Sequence, residues 1–311
     1  MRRRTPRLLV ALTAAGLALA GCAHRTAGPA SAGAGGATPA VAFPVTVGGV
    51  TLPQRPSRIV SLSPTATEML FVIGAGSQIA AVDDQSDYPA TAPRSKLSGF
   101  KPSAEAIAAK NPDLVVISDD VEKIKEQLAS LKIPVYQAPA AKTLDDSYTQ
   151  LTNLGALTGH AHQAATEVAR EKSAIDQAVA QVPKRTTALR YYYELDPTFY
   201  SATSKTFIGS LLGQLGLQNI ADPADKQGSG YPQLSAESIV KANPDLVFLA
   251  DTKCCGQSAA TVARRPGWSG VTAVQKHQVV ALDDAVASRW GPRVVDLVQT
   301  VAAAVGKVPA S

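Results

Sequence analysis

Residues 103–120 read SAEAIAAKNPDLVVISDD, and residues 235–252 read SAESIVKANPDLVFLADT. Ten of the 18 aligned positions are identical, and the two windows start 132 residues apart. Solenoid repeats recur about every 20–50 residues, which is less than half of the spacing between these two windows. The spacing therefore indicates two similar lobes. Lobes that face each other form a cleft, and clefts between domains are common sites of ligand binding.

Each copy predicts a helix followed by a buried strand. Ser103 and Ser235 are suited to cap the amino end of the helix. Asn-Pro ends the helix, because the residue before a proline avoids the right-handed helical region. Residues 114–117 and 246–249 are short apolar runs, typical of strands buried on both faces of a parallel sheet. The repeated unit thus predicts an α/β fold.

The amino terminus has the pattern of an export signal. Four arginines within the first seven residues precede an apolar stretch at residues 8–20, which is shorter than the about 20 residues that span a bilayer. Residues 19–22 read LAGC, which resembles the lipobox of bacterial lipoproteins. The resemblance implies cleavage before Cys22, lipid attachment to it, and anchoring to the outer face of the cell membrane. A soluble secretory signal with a coincidental cysteine is the alternative.

Removal of the signal changes the charge of the chain. The whole sequence has a formal net charge of +5, but four arginines leave with residues 1–22. The mature chain then carries 26 basic and 25 acidic residues. A net charge this close to zero gives no support for nucleic-acid binding.

Cys254 and Cys255 are the only cysteines after residue 22. An oxidising compartment outside the cytoplasm allows a disulfide. Neighbouring Cα atoms lie about 3.8 Å apart, below the usual disulfide range. A vicinal disulfide that stiffens the turn and a pair of free thiols both remain open. A zinc site is disfavoured, since there is no CxxC pair.

The mature chain is long enough for two lobes with a connection between them. Residues 144–157 and 161–182 predict two helices, and the second, about 33 Å long, lies between the two copies as a rigid bridge. We expect only small lobe motion on ligand binding. The predicted segments are a signal and lipobox at 1–22, a flexible tether and short hairpin at 23–55, an N-terminal lobe at 56–143, connecting helices at 144–183 and a C-terminal lobe at 184–311.

No motif for catalysis is present. The chain lacks HExxH, GxSxG, a phosphate-binding glycine loop and CxxC. His160 and His162 are two positions apart and do not share a helical face. We interpret them as solvated residues at a helix start rather than metal ligands. These observations favour a binding protein over an enzyme.

Several motifs together resemble a known family. They are RIVSLSP at residues 58–64 with Glu68, SDYP at 86–89, the NPDLV of both copies and GPR at 291–293. With them, the sequence after residue 55 resembles the substrate-binding lipoproteins of ABC importers for iron chelates and cobalamin. The resemblance implies an α/β fold with two Rossmann-like lobes joined by one long α-helix and a ligand cleft between the lobes.

The resemblance also implies roles for two repeated acidic residues. Glu105 and Glu237 match the pair of glutamates that dock such receptors on the permease dimer in the membrane. Two carboxylates related by pseudo-symmetry suit a two-fold symmetric partner. The alternative is that each carboxylate only complements the dipole of its helix.

Loops at the carboxyl ends of the strands are expected to line the ligand. Aromatic faces suit a large flat chelate, and a forked guanidinium suits carboxylate or hydroxamate oxygens. Arg293 lies nearby, as a further candidate or as a cap of the final helix. The ligand-lining residues implied by the resemblance are Tyr88, Phe100, Tyr200, Tyr231, Arg289 and Trp290.

The resemblance does not identify a single class of ligand. Cobalamin-binding members tend to line the cleft with tryptophan, whereas this chain has Phe100 and Tyr231 at the matching places. We therefore predict a monomeric receptor, without resident cofactor, for a ferric siderophore or cobalamin, with haem as a third ligand. A tetrapyrrole- or chelate-modifying enzyme on the same scaffold is the rival function. A zinc or manganese receptor is disfavoured, since the chain has only four histidines.

Overall fold

The computed structural model describes residues 42–309. The predicted signal, Cys22 and most of the predicted tether lie outside these residues. The described chain begins with a hairpin of β1 (Val45–Val47) and β2 (Val50–Leu52), as predicted. Between residues 42 and 309, no helix has both the length and the apolar character required to span a membrane.

Two four-stranded parallel sheets form the centres of two lobes. The N-lobe sheet has the order β4-β3-β5-β6 and the C-lobe sheet the order β10-β9-β7-β8. Counted within each lobe, both sheets run second, first, third, fourth. This shared order confirms the predicted duplication. The strands are β3 (Ile59–Leu62), β4 (Ile79–Val82), β5 (Leu114–Ile117), β6 (Val135–Gln137), β7 (Arg190–Glu194), β8 (Gln218–Asn219), β9 (Leu246–Leu249) and β10 (Val279–Ala281).

Helices cover the sheets and connect the lobes. The N lobe contains α1 (Pro64–Val72), α2 (Ala104–Ala108) and α3 (Ile124–Ser130). The connection consists of α4 (Leu144–Thr158) and α5 (Ala161–Ala180). The C lobe contains α6 (Phe207–Gln214), α7 (Ala236–Ala242), α8 (Thr252–Cys255), α9 (Ala259–Ala263), α10 (Thr272–Gln275), α11 (Asp284–Ala287) and α12 (Val294–Lys307).

The bridge helix is α5, which spans 20 residues, or about 30 Å. It packs against α4 on one side and against α12 of the C lobe on the other. The helix therefore joins the lobes, as predicted, although it ends two residues earlier than expected.

The two copies of the repeat fold alike. Ser103 and Ser235 each accept a hydrogen bond from the backbone N–H three residues later, at 3.2 and 3.1 Å. Asn111 and Asn243 then leave the helical region with φ of 49° and 46°. Asparagine tolerates this left-handed conformation better than most residues. The Asn-Pro pair thus turns the chain sharply into β5 and β9.

One histidine differs from its prediction. His160 is buried, and its Nε2 lies 2.9 Å from a guanidinium nitrogen of Arg55. Burial, together with the charge of Arg55, lowers the pKa of His160. The interpretation as a solvated residue is wrong for His160, because Arg55 from a distant part of the chain covers it. His162 is exposed, as expected.

Candidate functional site

Four aromatic side chains are exposed in loops that follow strand ends. Tyr88 and Phe100 belong to the long connection after β4, and Tyr200 and Tyr231 to loops after β7 and β8. Exposed fractions in chain order are 47%, 75%, 41% and 52%. Such exposure is unusual for large apolar groups and marks a binding surface where it is clustered. All four were predicted to line the ligand.

Only two other large apolar side chains of residues 42–309, Val72 and Leu131, are comparably exposed. Val72 ends α1, which leads into β4, and Leu131 follows α3, which leads into β6. Leu131 therefore lies toward the amino ends of the N-lobe strands, whereas Val72 lines a cavity together with Tyr88. The exposed aromatic residues lie at the opposite, carboxyl ends, where open α/β sheets bind ligands.

A glycine fixes the position of Phe100. A Cβ atom on Gly99 would lie 2.7 Å from the carbonyl oxygen of Leu62, the last residue of β3. Only glycine allows the chain to pass so close to that strand end. Phe100 follows directly and is held above the carboxyl edge of the N-lobe sheet.

The two tyrosines of the C lobe are held together by their backbones. Tyr200 forms an antiparallel bridge with Gln233, and the N–H of Ser201 donates to the carbonyl of Pro232 at 3.0 Å. The Tyr231 N–H donates to Ser229 Oγ at 3.1 Å. The paired loops place both rings at one end of the C-lobe sheet.

An ion-pair network joins the lobes beside these aromatics. Glu68 of α1 has a side chain that is only 2% exposed. Its Oε1 accepts hydrogen bonds from Arg289 at 2.7 Å and from Arg293 at 2.6 Å, and its Oε2 accepts from Arg293 Nε at 2.8 Å. One buried carboxylate of the N lobe thus pairs with two guanidinium groups of the C lobe.

Both arginines also contact the loop that carries Tyr88. Arg289 Nη2 donates to the carbonyl of Gln85 at 3.0 Å, and both of its terminal nitrogens lie 3.3 Å from Asp87 Oδ1. Arg293 Cζ lies 4.2 Å from the centre of the Tyr88 ring. The predicted ligand contact Arg289 is therefore already engaged by protein groups. Arg293 occupies the N-cap position of α12, but its side chain makes no capping hydrogen bond and lies over the Tyr88 ring instead.

Trp290 contacts both lobes rather than standing with the exposed aromatics. Its indole N–H donates to Gln150 Oε1 of α4 at 2.9 Å, and its carbonyl accepts a hydrogen bond from Ser147. The side chain packs against the hydrophobic cores of both lobes. The indole N–H of Trp290 is therefore already paired within the protein.

A cavity of about 380 Å³ lies next to the network, between α1, α5 and α12, and Tyr88 and Arg293 line part of it. A groove of about 530 Å³ lies at the hairpin and α3 and contains none of the predicted site residues. Of these two hollows, the cavity beside Tyr88 is the one that adjoins the predicted ligand site.

The repeated glutamates occupy equivalent exposed positions. Glu105 lies in the first turn of α2 and Glu237 in the first turn of α7. Each follows an exposed aromatic residue by five or six positions. Neither carboxylate forms an ion pair with another described residue, so both are available to a partner.

The cysteine pair lies in α8, directly after β9. The sulfur atoms of Cys254 and Cys255 are joined as a vicinal disulfide. Asp284 holds the same turn, because its carboxylate accepts from the backbone N–H groups of Thr252, Lys253 and Cys254 at 2.8–3.0 Å. The turn thus has two independent restraints.

A buried acidic pair that the sequence reasoning missed lies beneath this turn. Glu194 ends β7 and accepts two hydrogen bonds from Arg265, at 2.6 and 2.5 Å. Asp251 follows β9, is fully buried, and has no hydrogen-bond partner for its carboxylate within the described residues. Burial, with the nearby charge of Glu194, raises the pKa of Asp251. Both carboxylates lie at the carboxyl ends of neighbouring strands of the C-lobe sheet.

Comparison with known proteins agrees with this architecture. Residues 59–286 match the periplasmic binding protein family. The chain is 30% identical to the uncharacterized ABC transporter substrate-binding lipoprotein YvrC of Bacillus subtilis, over 84% of this chain and 85% of that protein. It is 31% identical to a cobalamin-binding protein of Halobacterium salinarum, over 83% of this chain and 73% of that protein.

A solved structure shows the same fold. The vitamin B12 binding protein BtuF of Vibrio cholerae superposes with a TM-score of 0.68 at 24% identity, covering 80% of this chain and 96% of that one. The predicted two-lobed α/β fold is confirmed, and so is the interpretation as a binding protein rather than an enzyme. The chain belongs to the periplasmic binding protein family.

Proposed function

We propose that this protein is the lipid-anchored receptor of an ABC importer, which captures a cobalamin or a ferric siderophore between its lobes and delivers it to the permease. The observation that carries the proposal is the set of four exposed aromatic residues at the carboxyl ends of the two sheets. The similar proteins include a substrate-binding lipoprotein and a cobalamin-binding protein, and both support a receptor for this class of ligand.

The aromatic residues suit a large, partly apolar chelate. A buried aromatic side chain removes about 150–250 Å² from water, so covering four of them contributes substantially to binding. Phe100, the most exposed, offers only an apolar face. The three tyrosines add hydroxyl groups, which can pair with amide or hydroxamate groups at the edge of a ligand.

The arginines bear on the choice of ligand. Arg289 and Arg293 are paired with Glu68 and packed on the Tyr88 loop, so a ligand carboxylate would have to compete with a buried ion pair. This arrangement favours ligands recognised through ring faces and neutral polar groups, such as the amides of cobalamin or the hydroxamates of a siderophore. Haem, with its propionates, is the less favoured ligand.

Delivery is assigned to the repeated glutamates. Glu105 and Glu237 are exposed, carry no ion pair with described residues and occupy equivalent positions in the two lobes. We infer that each meets a basic group of one permease subunit. The paired position supports this role, because complementation of a helix dipole alone would not require the same residue in both lobes.

Binding is tested by isothermal titration and thermal shift with the chain that lacks residues 1–22. The probes are cyanocobalamin, ferrioxamine B, ferrichrome and haemin. A ligand at 100 times its Kd stabilises a protein by about 2.7 kcal/mol, which raises Tm by several degrees for a chain of this size. A shift with one probe identifies the class of ligand.

Two variants locate the site. Phe100→Ala and Tyr231→Ala should each weaken binding about tenfold or more. Leu131→Ala, which removes an equally exposed apolar group from the other end of the N lobe, is the matched control and should bind normally. Equal losses in all three variants, or no binding by the unaltered protein, would contradict the proposal.

A further inference from the structure

The burial of Glu68 needs an explanation beyond stability. Placing a carboxylate and two guanidinium groups away from water costs free energy that their attraction only partly returns. Apolar residues of similar size would hold the lobes together as well or better. A network of this kind is more useful for fixing orientation than for adding stability.

The network ends on a residue of the proposed ligand site. Arg293 donates twice to Glu68 with one edge of its guanidinium and presents its flat face to the Tyr88 ring at 4.2 Å. A cation over an aromatic face is attractive, and more strongly so when both are shielded from water. The orientation of the Tyr88 ring is thus coupled to Glu68 through Arg293.

A different set of contacts, all within the N lobe, fixes the start of the Tyr88 loop. Ser86 Oγ lies 2.9 Å from Thr67 Oγ1, which in turn donates to Ser61 Oγ at 2.9 Å. These hydroxyl groups all belong to the N lobe and are buried. They fix where the loop starts, whereas its tip, at Tyr88, packs on a group of the C lobe.

We propose that Glu68 and Arg293 are positioning residues of the ligand cleft: Glu68 orients the Arg293 guanidinium, which holds the Tyr88 ring from the opposite lobe. The Tyr88 loop of the N lobe is thereby held against the C lobe before ligand arrives. The part of this inference that concerns ligand affinity rests on the proposed function, whereas the part that concerns the loop does not.

The first experiment needs no ligand. It measures hydrogen–deuterium exchange of the peptide containing residues 85–89 in the unaltered protein and in Arg293→Lys and Glu68→Gln. Lysine keeps the charge beside Glu68 but lacks the planar fork, so this variant retains its fold even where Glu68→Gln does not. We expect exchange in this peptide to rise roughly fivefold or more, while peptides of β5 and β9 remain protected.

Arg190→Lys is the matched control. Arg190 forms an ion pair of 3.9 Å with Asp245 inside the C lobe and touches no residue of the loop. Its replacement should leave exchange at residues 85–89 unchanged. Unchanged exchange in Arg293→Lys as well would overturn the positioning role.

The second experiment is a double-mutant cycle with cyanocobalamin, or with ferrioxamine B if that is the probe bound. Arg293→Lys should weaken binding about tenfold in the unaltered protein but less than twofold in a Tyr88→Ala background. Equal losses in both backgrounds would show that Arg293 does not act through Tyr88 and would refute the proposal. If the unaltered protein binds none of the probes, the proposed function is contradicted. The exchange experiment then still tests whether Arg293 positions the Tyr88 loop.

Discussion

The carboxylate of Asp113 accepts a hydrogen bond from the backbone N–H of Arg58 at 2.9 Å. The equivalent residues of the C lobe, Asp245 and Arg190, form the same contact at 2.8 Å. In each lobe the aspartate precedes the third strand and the arginine lies at the start of the first. The aspartate of the repeated Asn-Pro-Asp-Leu therefore ties two neighbouring strands together where they begin.

Removing this tie should destabilise each lobe. Asp113→Ala leaves the N–H groups of Ser57 and Arg58 without their acceptor, and we expect a loss of about 1–2 kcal/mol in the free energy of unfolding. Asp245→Ala should cost about 1 kcal/mol, since it removes one such bond. Urea denaturation measures both, with the exposed Asp119→Ala as control. Equal stability of Asp113→Ala and the control would refute the role.

The bridge helix should make stability depend on pH. Glu171 is 1% exposed and its carboxylate has no hydrogen-bond partner among the described residues. Burial, with a further contribution from the charge of Glu167, raises the pKa of Glu171 from 4.5 to about 8. Between pH 4.5 and about 8, the Glu171 carboxyl group stays protonated in the folded protein but is ionised in the unfolded chain. Stability from this group is therefore complete below pH 4.5 and is lost as the pH rises towards 8.

Glu171→Gln removes the titrating group and tests this link. The variant should gain stability over the unaltered protein as pH rises from 5 to 8, by up to about 1.4 kcal/mol per pH unit, and the gain should level off above. Arg170, Glu167 and Tyr148 surround the group and stay in place. Exposed Glu126→Gln is the control. Parallel stability curves for Glu171→Gln and the unaltered protein would contradict the raised pKa.

Charge reversal should separate delivery from capture. Glu105→Lys and Glu237→Lys replace exposed residues outside the aromatic cleft, so ligand affinity should stay within about twofold. Transport in cells, and stimulation of the importer's ATPase, should fall about tenfold for each and further for the pair. Glu126→Lys changes charge equally on another face of the N lobe. Normal transport by the double variant would rule out docking through these residues.

The cysteine pair makes a simple chemical prediction. Iodoacetamide should modify neither Cys254 nor Cys255 in the oxidised protein and both after reduction, which mass spectrometry reads directly. Because Asp284 accepts three backbone N–H groups of the same turn, Cys254→Ser with Cys255→Ser should change Tm by only a few degrees. Asp284→Ala, which removes all three bonds, should lower Tm more. Modification without reductant would show that the thiols are free.

Local patterns were sufficient for much of the fold. The repeat predicted both helix–strand units, and its two apolar runs match β5 and β9. The two-residue strand β8 and the short helices α8 to α11 were missed, since four or five residues show little periodicity. The burial of His160 also escaped prediction, because it depends on Arg55.

The candidate site was likewise predicted only where local patterns reveal it. Tyr88 stands in a recognisable motif and Phe100 just before the first copy of the repeat, and their exposure agrees with the resemblance. The partners of Glu68 are 221 and 225 residues away along the chain, and no local pattern predicts such a contact. Arg289 was therefore predicted only as a ligand contact, whereas the fold also engages it in the network between the lobes.

The order of the strands along the chain also affects how such a protein can evolve. Each sheet is built from one uninterrupted length of chain, and the two lengths are joined through α4 and α5. A single recombination event within α5 would therefore exchange half of the cleft while leaving each sheet intact. Half-clefts from different relatives could be combined in this way to give new ligand preferences. Such an exchange would succeed only where the incoming half restores the charges that meet across the lobes.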